Sequence, residues 1–386
     1  MFVATAAGCD QGEHAVDPSR GPDLRLIASY PSAGQGIDCD AAAGEVPDAE
    51  APDAEAPDGG ALDGGAPEAG PPPCDVPINA VIKLRFDRFL KPSTATRQSI
   101  RVYSGNPDTS ICQTTDGSET GCFFQPSYDV VERVLLYRLG ENTTFVPNLL
   151  YTVEIVRPGD AAADGLRAFD NAPLSEESPA PLKFQFRTSS RIGPALEKIA
   201  PKLTKEDGSC KHVYEEIFDL RCTDVGCHST HRTANDACPL GQATFEGSCV
   251  GVPRMGLDFS TVGSMLQTAR GQPAHQTEVS GRVGTPLTNP SRMGVAMPRI
   301  DPALPANSYL LYKLLRDPDN YGDCRSIYGD LGGGDCIRTS TEELRRLRNW
   351  FVIGDPMPRR EPGQDGLQMQ QLRDIQRFIA DGAHCP

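Results

Sequence analysis

Cysteine content constrains this chain more than any other sequence feature, because thirteen cysteines are spread over its 386 residues. Cytosolic proteins rarely carry so many thiols unless a metal cluster binds them, whereas exported proteins use cysteines as disulfides. The cysteine content therefore predicts an exported protein. Spacing does not fix connectivity, but one set of pairs that uses near neighbours first is Cys112–Cys122, Cys238–Cys249, Cys324–Cys336, Cys39–Cys74 and Cys210–Cys385.

The charge balance excludes one class of partner. The net charge is -15, whereas proteins that bind nucleic acid need clustered Lys and Arg. Much of the acid lies in residues 41–73, which consist almost entirely of Ala, Pro, Gly, Asp and Glu. Such a segment has too little apolar surface to offset the entropy of ordering, so we predict a disordered acidic linker. No run of about 18 apolar residues occurs, so no membrane-spanning segment is predicted.

The N-terminus offers a different route to a membrane. Ala4 to Cys9 read A-T-A-A-G-C, with small residues before a cysteine. This run resembles the end of a bacterial lipoprotein signal peptide, which implies that Cys9 carries the lipid anchor. A positive n-region and an apolar h-region do not precede it, and a plain disordered N-terminus is the alternative. We assign residues 1–22 to this signal remnant.

Residues 74–190 alternate apolar and polar side chains in short runs that are separated by Pro, Gly, Asn or Asp. A period of two predicts strands with one buried face. An earlier run, LRLIASY, reads as a first strand within residues 23–40, so the acidic linker interrupts a domain. The predicted strands are 24–30, 80–86, 100–103, 130–137, 151–156 and 182–187.

The β-rich part also carries a resemblance. INAVIKLRFDRFLKPST, YDVVERVLLY, LLYTVEI and FQFRTSS are similar to the bacterial Ig-like domain of S-layer and cell-surface proteins. The resemblance implies an antiparallel β-sandwich that serves as a spacer or adhesion module, and it carries over no catalytic residue.

From residue 193 to 386 the pattern changes to helices joined by long loops. Val213, Ile217 and Leu220 fall on one face of the first predicted helix. Ser340 and Glu343 have the spacing of a capping box. The predicted helices are 212–220, 307–316, 340–353 and 367–380.

The strongest chemical motif directly follows the first of these helices and reads Cys222-Thr-Asp-Val-Gly-Cys227-His228. Covalent haem attachment needs two thiols that add across the porphyrin vinyl groups and a histidine that ligates the iron. Four residues separate the two cysteines here, whereas two are usual. A disulfide-bonded pair with a bystander histidine is the alternative, and a zinc site is less attractive because it needs four ligands.

Two further runs resemble bacterial cytochrome c domains, namely EEIFDLRCTDVGCHS and LRRLRNWFVIGDPMPRR followed by LQMQQLRDIQRFIADGA. In that family a Met-Pro pair supplies the thioether that binds iron opposite the histidine. On this resemblance Met357 is the sixth-ligand candidate. Met297, which also precedes a proline, and His275 are rivals for the sixth position, and Met357 packing without ligating is the structural alternative.

The sequence therefore predicts a multidomain β + α fold, in which an Ig-like antiparallel β-sandwich precedes a small α-helical cytochrome c-like domain. The functional hypothesis is a lipid-anchored electron carrier of the cell envelope. It would bind haem c covalently, and its sandwich and acidic linker would hold the haem away from the membrane. Its negative charge would steer it toward basic redox partners. The alternatives are a haem-free surface scaffold and, with less support, a haem enzyme.

Overall fold

The computed structural model describes the β-rich part of the chain almost completely and the helical part with gaps. Within the described residues, antiparallel strand pairs come first in the chain and short helices follow. These residues are 21–31, 75–107, 109–158, 165–193, 209–223, 228, 243–245, 248–250, 256–274, 297–317, 320, 325–331, 336, 338–350, 352, 357–358 and 366–385.

The strands form several small sheets. The first has the order β1-β2-β7-β6, the second β10-β9-β3, the third β5-β4-β8, and β11 pairs with β12. The strands are β1 (Leu26–Tyr30), β2 (Ile82–Phe86), β3 (Ile100–Tyr103), β4 (Ile111–Thr114), β5 (Glu119–Gly121), β6 (Phe124–Asp129), β7 (Val134–Leu139), β8 (Thr143–Phe145), β9 (Leu150–Ile155), β10 (Lys183–Arg187), β11 (Ala243–Phe245) and β12 (Ser248–Val250).

Strands β1 and β2 are neighbours in one sheet although the acidic segment separates them in sequence. Leu26 lies opposite Phe86 and Tyr30 opposite Lys83 in an antiparallel register. The chain before and after residues 41–73 therefore contributes adjacent strands to one sheet.

Strand β2 was predicted to have one solvated face, but every residue in it is buried. Ile82, Leu84 and Phe86 face the apolar core. Lys83 and Arg85 are covered by residues 326–331, where Lys83 forms an ion pair with Asp330. The basic face is buried because acidic side chains compensate its charge.

Aromatic rings from different sheets meet in the core of the β-rich part. Phe124 of β6 stacks on Tyr137 of β7 with ring centroids 4.7 Å apart. Phe124 also contacts Phe145 of β8 at 6.0 Å, and Phe145 contacts Phe186 of β10 edge-on at 5.3 Å. The three sheets therefore share one apolar interior.

The helical half contains a segmented first helix and four further α-helices among the described residues. The predicted helices over 307–316, 340–353 and 367–380 are present with shorter bounds, and α3 was not predicted. The segments are α1 (Cys210–His212), a π-helical stretch (Val213–Phe218), α2 (Asp219–Cys222), α3 (Val262–Ala269), α4 (Tyr309–Leu315), α5 (Thr341–Trp350) and α6 (Met369–Ala380).

A cluster of buried charges, here called the Arg88 cluster, joins the strands to the helices. It consists of Arg88, Asp170, Glu343 and Arg346. Arg88 donates from Nε to Glu343 at 2.7 Å and from Nη2 to Asp170 at 2.7 Å, and Arg346 Nε donates to the same Asp170 oxygen at 2.8 Å. Although burial lowers the pKa of a guanidinium, the two carboxylates outweigh burial and raise the pKa of Arg88.

The Arg88 cluster also explains why the predicted capping box is only half formed. The Ser340 hydroxyl accepts a hydrogen bond from the Glu343 amide at 3.1 Å, as predicted. The Glu343 carboxylate does not return to the cap, since it binds Arg88 and accepts from the Phe89 amide at 3.1 Å. A buried cation is a stronger partner than a backbone amide.

A second junction, here called the Glu132 cluster, lies at the β6–β7 turn. Glu132 accepts from Arg373 of α6 at 2.6 Å, from Arg85 of β2 at 3.2 Å and from the Ile327 amide at 3.0 Å. Tyr328 donates its hydroxyl to Asp129 at 2.8 Å. Two buried cations thus share the carboxylate of Glu132.

Two of the expected disulfides are confirmed. Cys112–Cys122 closes a short loop across ten positions, and Cys210–Cys385 ties the start of the first helix to the C-terminus across 175 positions. Cys336 is also disulfide-bonded. The cysteines that complete the other expected pairs lie outside the described residues. In that described portion of the chain, no helix is long and apolar enough to cross a bilayer.

Replacing both Cys210 and Cys385 by Ala is expected to destabilise the protein more than replacing Cys112 and Cys122. The entropy that a disulfide removes from the unfolded chain grows with the loop it closes, here 175 against 10 positions. The expected losses in unfolding free energy are roughly 5 and roughly 3 kcal/mol. Urea titration of both double variants measures them, and an equal or reversed ranking contradicts the prediction.

Glu132→Gln is expected to lower the unfolding free energy by about 3–5 kcal/mol, because the guanidinium groups of Arg85 and Arg373 stay buried without a compensating charge. The matched control is Glu342→Gln, which removes an exposed carboxylate paired with Arg345 at 2.9 Å. The control should cost less than about 1 kcal/mol. Chemical denaturation of both variants tests this, and similar losses would show that the Glu132 cluster contributes no more than a surface pair.

Candidate functional site

The helix that carries Cys222 begins at a side-chain cap and contains a wide turn. The Ser209 hydroxyl accepts from the His212 amide at 3.2 Å. The Asp219 amide donates to the carbonyl of Tyr214, five residues earlier, which is the π-helical spacing. The predicted helix over 212–220 is therefore confirmed and extends from Cys210 to Cys222.

The wide turn changes which side chains face the core. Val213 and Ile217 are buried as predicted, but Leu220, predicted on the same face, is 67 % exposed. Phe218 and Cys222 are buried instead. A π-helical turn inserts one extra residue, which rotates all later positions around the helix axis. Cys222 therefore faces the core at the C-terminal end of the helix.

Both a covalent and a polar contact hold the start of this helix against the last helix. The Cys210–Cys385 disulfide links it to the C-terminus. His212 Nε2 lies 3.1 Å from Asp374 of α6, and Asp374 also accepts from Gln370 at 2.9 Å. These two contacts fix the start of the helix that ends at Cys222.

His228 is buried, with 5 % of its surface exposed. Its Nδ1 lies 3.0 Å from the Leu257 carbonyl oxygen, and its own carbonyl accepts from the Phe259 amide at 2.6 Å. The ring meets Phe259 edge-on at 5.7 Å. Phe259 in turn stacks on Phe218 at 4.8 Å, so an aromatic pair connects the helix of Cys222 to the imidazole.

The contact with Leu257 fixes the chemistry of the imidazole. A carbonyl oxygen only accepts hydrogen bonds, so Nδ1 of His228 carries the proton. A neutral imidazole protonated on Nδ1 has its lone pair on Nε2. Metal-ligating histidines typically donate their second N–H to a carbonyl or carboxylate in this way. His228 is therefore held in the tautomer in which Nε2 could ligate a haem iron.

The segment that supports His228 is itself braced by hydrogen bonds. The Asp258 amide donates to the Thr268 hydroxyl at 2.9 Å, and the Tyr214 hydroxyl donates to the Phe259 carbonyl at 3.1 Å. Burial raises the pKa of Tyr214, and the carboxylates of Asp219 and Asp258 raise it further. The phenol therefore stays protonated and remains a donor.

Met357, the sixth-ligand candidate, is held at its main chain by Asn320. Met357 is partly buried against the main core. The Asn320 amide group donates to the carbonyls of Met357 at 3.2 Å and Leu314 at 2.8 Å. Asn320 also accepts from the Leu367 amide at 2.7 Å. The main chain at Met357 is thus linked through Asn320 to the end of α4 and to Leu367.

Of the other candidate site residues, Met297 lies in the described part of the chain, and Cys9, Cys227 and His275 lie outside it. Met297 is buried in the main core, and its carbonyl accepts from the Ala274 amide at 3.2 Å. The structure therefore places Cys222, His228 and Met357 among the predicted site residues. Across the part of the chain that is described, no group of three His, Cys, Asp or Glu side chains could hold a metal ion.

Sequence reasoning missed the residues that support the imidazole, namely Leu257, Phe259 and Thr268. Leu257 acts through its carbonyl, which every residue type has, so the residue type at this position gives no signal of the role. Thr261 does carry one, since its hydroxyl caps α3 by accepting from the Ser264 amide at 3.0 Å. Recognition of that cap would have predicted α3, which carries Thr268.

No protein-family model matches the chain, and none of the curated proteins matches it. Among solved structures, the N-terminal part of the bacterial S-layer protein SbsC is 11% identical with a TM-score of 0.19, covering 46% of this chain and 35% of that one. The S-layer protein rSbsC(31-844) is 10% identical with a TM-score of 0.19, covering 46% and 21%. The chain thus spans about a third or less of either protein's length. Similarity at this level supports no argument about fold or function, and the Ig-like domain stays a prediction.

Proposed function

We propose that this protein is a haem c-binding electron carrier of the cell envelope. The observation that carries the proposal is the hydrogen bond from His228 Nδ1 to the Leu257 carbonyl, at 3.0 Å. It sets the imidazole in the tautomer that presents Nε2 to iron. A buried histidine in this tautomer, six residues after a buried cysteine at a helix end, supports haem more strongly than the sequence motif does alone.

The proposal gives each candidate residue a defined role. Cys222 and Cys227 would tether the porphyrin, and His228 and Met357 would supply a nitrogen and a thioether ligand to its iron. When bound, haem c supplies one-electron transfer between partners. Phe259 packs edge-on against the imidazole and is itself stacked on Phe218, and Asn320 holds the main chain at Met357.

The proposed location and partners follow from cysteine content and charge. Disulfides such as Cys112–Cys122 and Cys210–Cys385 persist in oxidising compartments. Cys9 is the proposed lipid anchor. A net charge of -15 favours basic redox proteins as partners and disfavours nucleic acid.

We also propose that residues 74–190 form, with the first strand, an Ig-like β-sandwich. Contacts between Phe124, Phe145 and Phe186 from three sheets support this. Such a module would present the helical half at the envelope surface.

A haem-free envelope scaffold is the second candidate function. The observation that favours it is the pair of charge clusters around Arg88 and Glu132, which join strands to helices through the protein's own side chains. Here Cys222 and Cys227 would contribute to a disulfide-stabilised structure instead of binding haem.

The haem proposal predicts that the full-length chain, exported with a cytochrome c maturation system, gains the mass of one haem. Its reduced-minus-oxidised spectrum should show sharp low-spin bands. Cys222→Ser should shift the reduced bands because one thioether link is lost, and His228→Ala should abolish the low-spin spectrum. The matched control replaces Cys112 and Cys122 by Ala, which removes two cysteines elsewhere and should leave the spectrum unchanged.

A colourless exported protein with Cys222 joined to Cys227 contradicts the haem proposal and favours the scaffold. Peptide mapping under non-reducing conditions identifies that bond. A haem-loaded protein with an unchanged spectrum in His228→Ala would contradict the ligand assignment.

Met357→Ala is expected to remove the near-infrared band of an iron–thioether bond and to lower the reduction potential, because a thioether favours ferrous iron. Met297→Ala is the matched control and should retain the band while losing about 2–5 kcal/mol of stability, since its side chain is buried in the core. The opposite pattern would assign the distal position to Met297, and retention in both variants would exclude both methionines.

A further inference from the structure

We propose that Arg299 is the residue that positions His228, through the segment 256–258. The effect of Arg299 on iron ligation rests on the proposed function, whereas its effect on the imidazole tautomer does not. Arg299 follows one of the rival Met-Pro pairs, and neither the sequence motif nor the family resemblance involves it.

The contacts of Arg299 identify its target. Its Nη1 donates to the Gly256 carbonyl at 3.0 Å and also to the Thr268 carbonyl. Thr268 lies in the last turn of α3, where carbonyls lack partners within the helix and a cation is favourable. The guanidinium therefore joins the end of α3 to the residue before Leu257.

Thr268 transmits this constraint to the carbonyl that holds His228. The Leu257 carbonyl and the Asp258 amide belong to one planar trans peptide unit, so they point in opposite directions. The Asp258 amide donates to the Thr268 hydroxyl at 2.9 Å. On the other side of the same unit, the Leu257 carbonyl accepts from His228 Nδ1 at 3.0 Å. Fixing Thr268 thus fixes the direction of the acceptor.

Gly256 shows that the backbone of this segment needs such a restraint. Its φ is +66°, a conformation that glycine adopts without strain and that other residues disfavour. Glycine is also free to leave that conformation, since it has access to more of φ/ψ space than any other residue. The hydrogen bond from Arg299 to the Gly256 carbonyl restricts this freedom one residue before Leu257.

Arg299 is well placed to impose the restraint because its own backbone is fixed. Its amide donates to the Gln272 carbonyl at 2.7 Å, and its carbonyl accepts from the Leu310 amide at 3.0 Å. Its surface is 9 % exposed. A guanidinium has several N–H donors and can donate to two carbonyls at once. The ammonium group of lysine does this with poorer geometry.

The test is the tautomer of His228 in the full-length protein prepared without haem, measured by ¹⁵N NMR at a pH well above the ordinary histidine pKa. In water a neutral histidine carries its proton mainly on Nε2, so the Nδ1–H form reports the contact with Leu257. The wild-type protein should show the Nδ1–H form with a slowly exchanging proton. Arg299→Met should mix the two tautomers and speed exchange roughly tenfold, the factor for one hydrogen bond. Arg299→Lys should give an intermediate result.

The matched control is Arg316→Met. Arg316 is also buried and also donates to a main-chain carbonyl, that of Val352, so its loss should destabilise the fold similarly and leave the His228 tautomer unchanged. Thr268→Val tests the same path without removing a charge, and it serves if Arg299→Met fails to fold.

An Nδ1–H form that persists in folded Arg299→Met, or in Thr268→Val if Arg299→Met does not fold, overturns the positioning role. An equal change in Arg316→Met also overturns it, because the effect would then reflect general loosening. Absence of haem in the wild-type protein would end the electron-carrier proposal while leaving the NMR result valid, so the two failures are distinguishable.

Discussion

Charge pairs buried between the strands and the helices are the interaction on which the rest of the structure depends. In the Arg88 cluster, two guanidinium groups and two carboxylates leave water together, and Asp170 serves both cations. Removing one partner from such a pair leaves an uncompensated charge, which costs far more than a surface pair contributes. Separating the helices from the sheets would expose these charges or leave them buried without a partner. The same cluster also holds the N-terminal segment, because Arg88 donates to the Pro22 carbonyl.

The candidate site is connected to the packing around the Arg88 cluster through α4. Phe89, next to Arg88, meets Tyr312 of α4 at 5.8 Å, and the Leu310 amide of α4 donates to the Arg299 carbonyl at 3.0 Å. From there hydrogen bonds lead through Gly256 and Thr268 to the Leu257 carbonyl and His228. A residue with no motif of its own can thus decide which nitrogen of an imidazole carries a proton.

Sequence reasoning succeeded where a local pattern was sufficient. Alternation located β2, β3, β9 and β10, and helical periodicity located the helices that begin near Cys210, Tyr309, Thr341 and Met369. It failed where a distant partner decided the outcome. The basic face of β2 was predicted to be solvated because its partners, Asp330 and Glu132, lie far away in sequence. Leu220 was predicted to be buried, but its exposure depends on a π-helical turn that no local residue pattern specifies. Within the site, Cys222 and His228 were identified by type and spacing, whereas the supporting contacts were not, because they use main-chain groups.

The pairing of β1 with β2 has a consequence for how this chain can vary. Because β1 and β2 are neighbours in one sheet, a longer segment between them only enlarges the loop whose ends the two strands fix. Doubling the length of a flexible loop costs only about 0.6 kcal/mol of closure entropy. Insertions and deletions there should leave the register of Leu26 with Phe86 intact. Changes in the length and charge of this segment can therefore accumulate during evolution while the pairing of β1 with β2 is preserved.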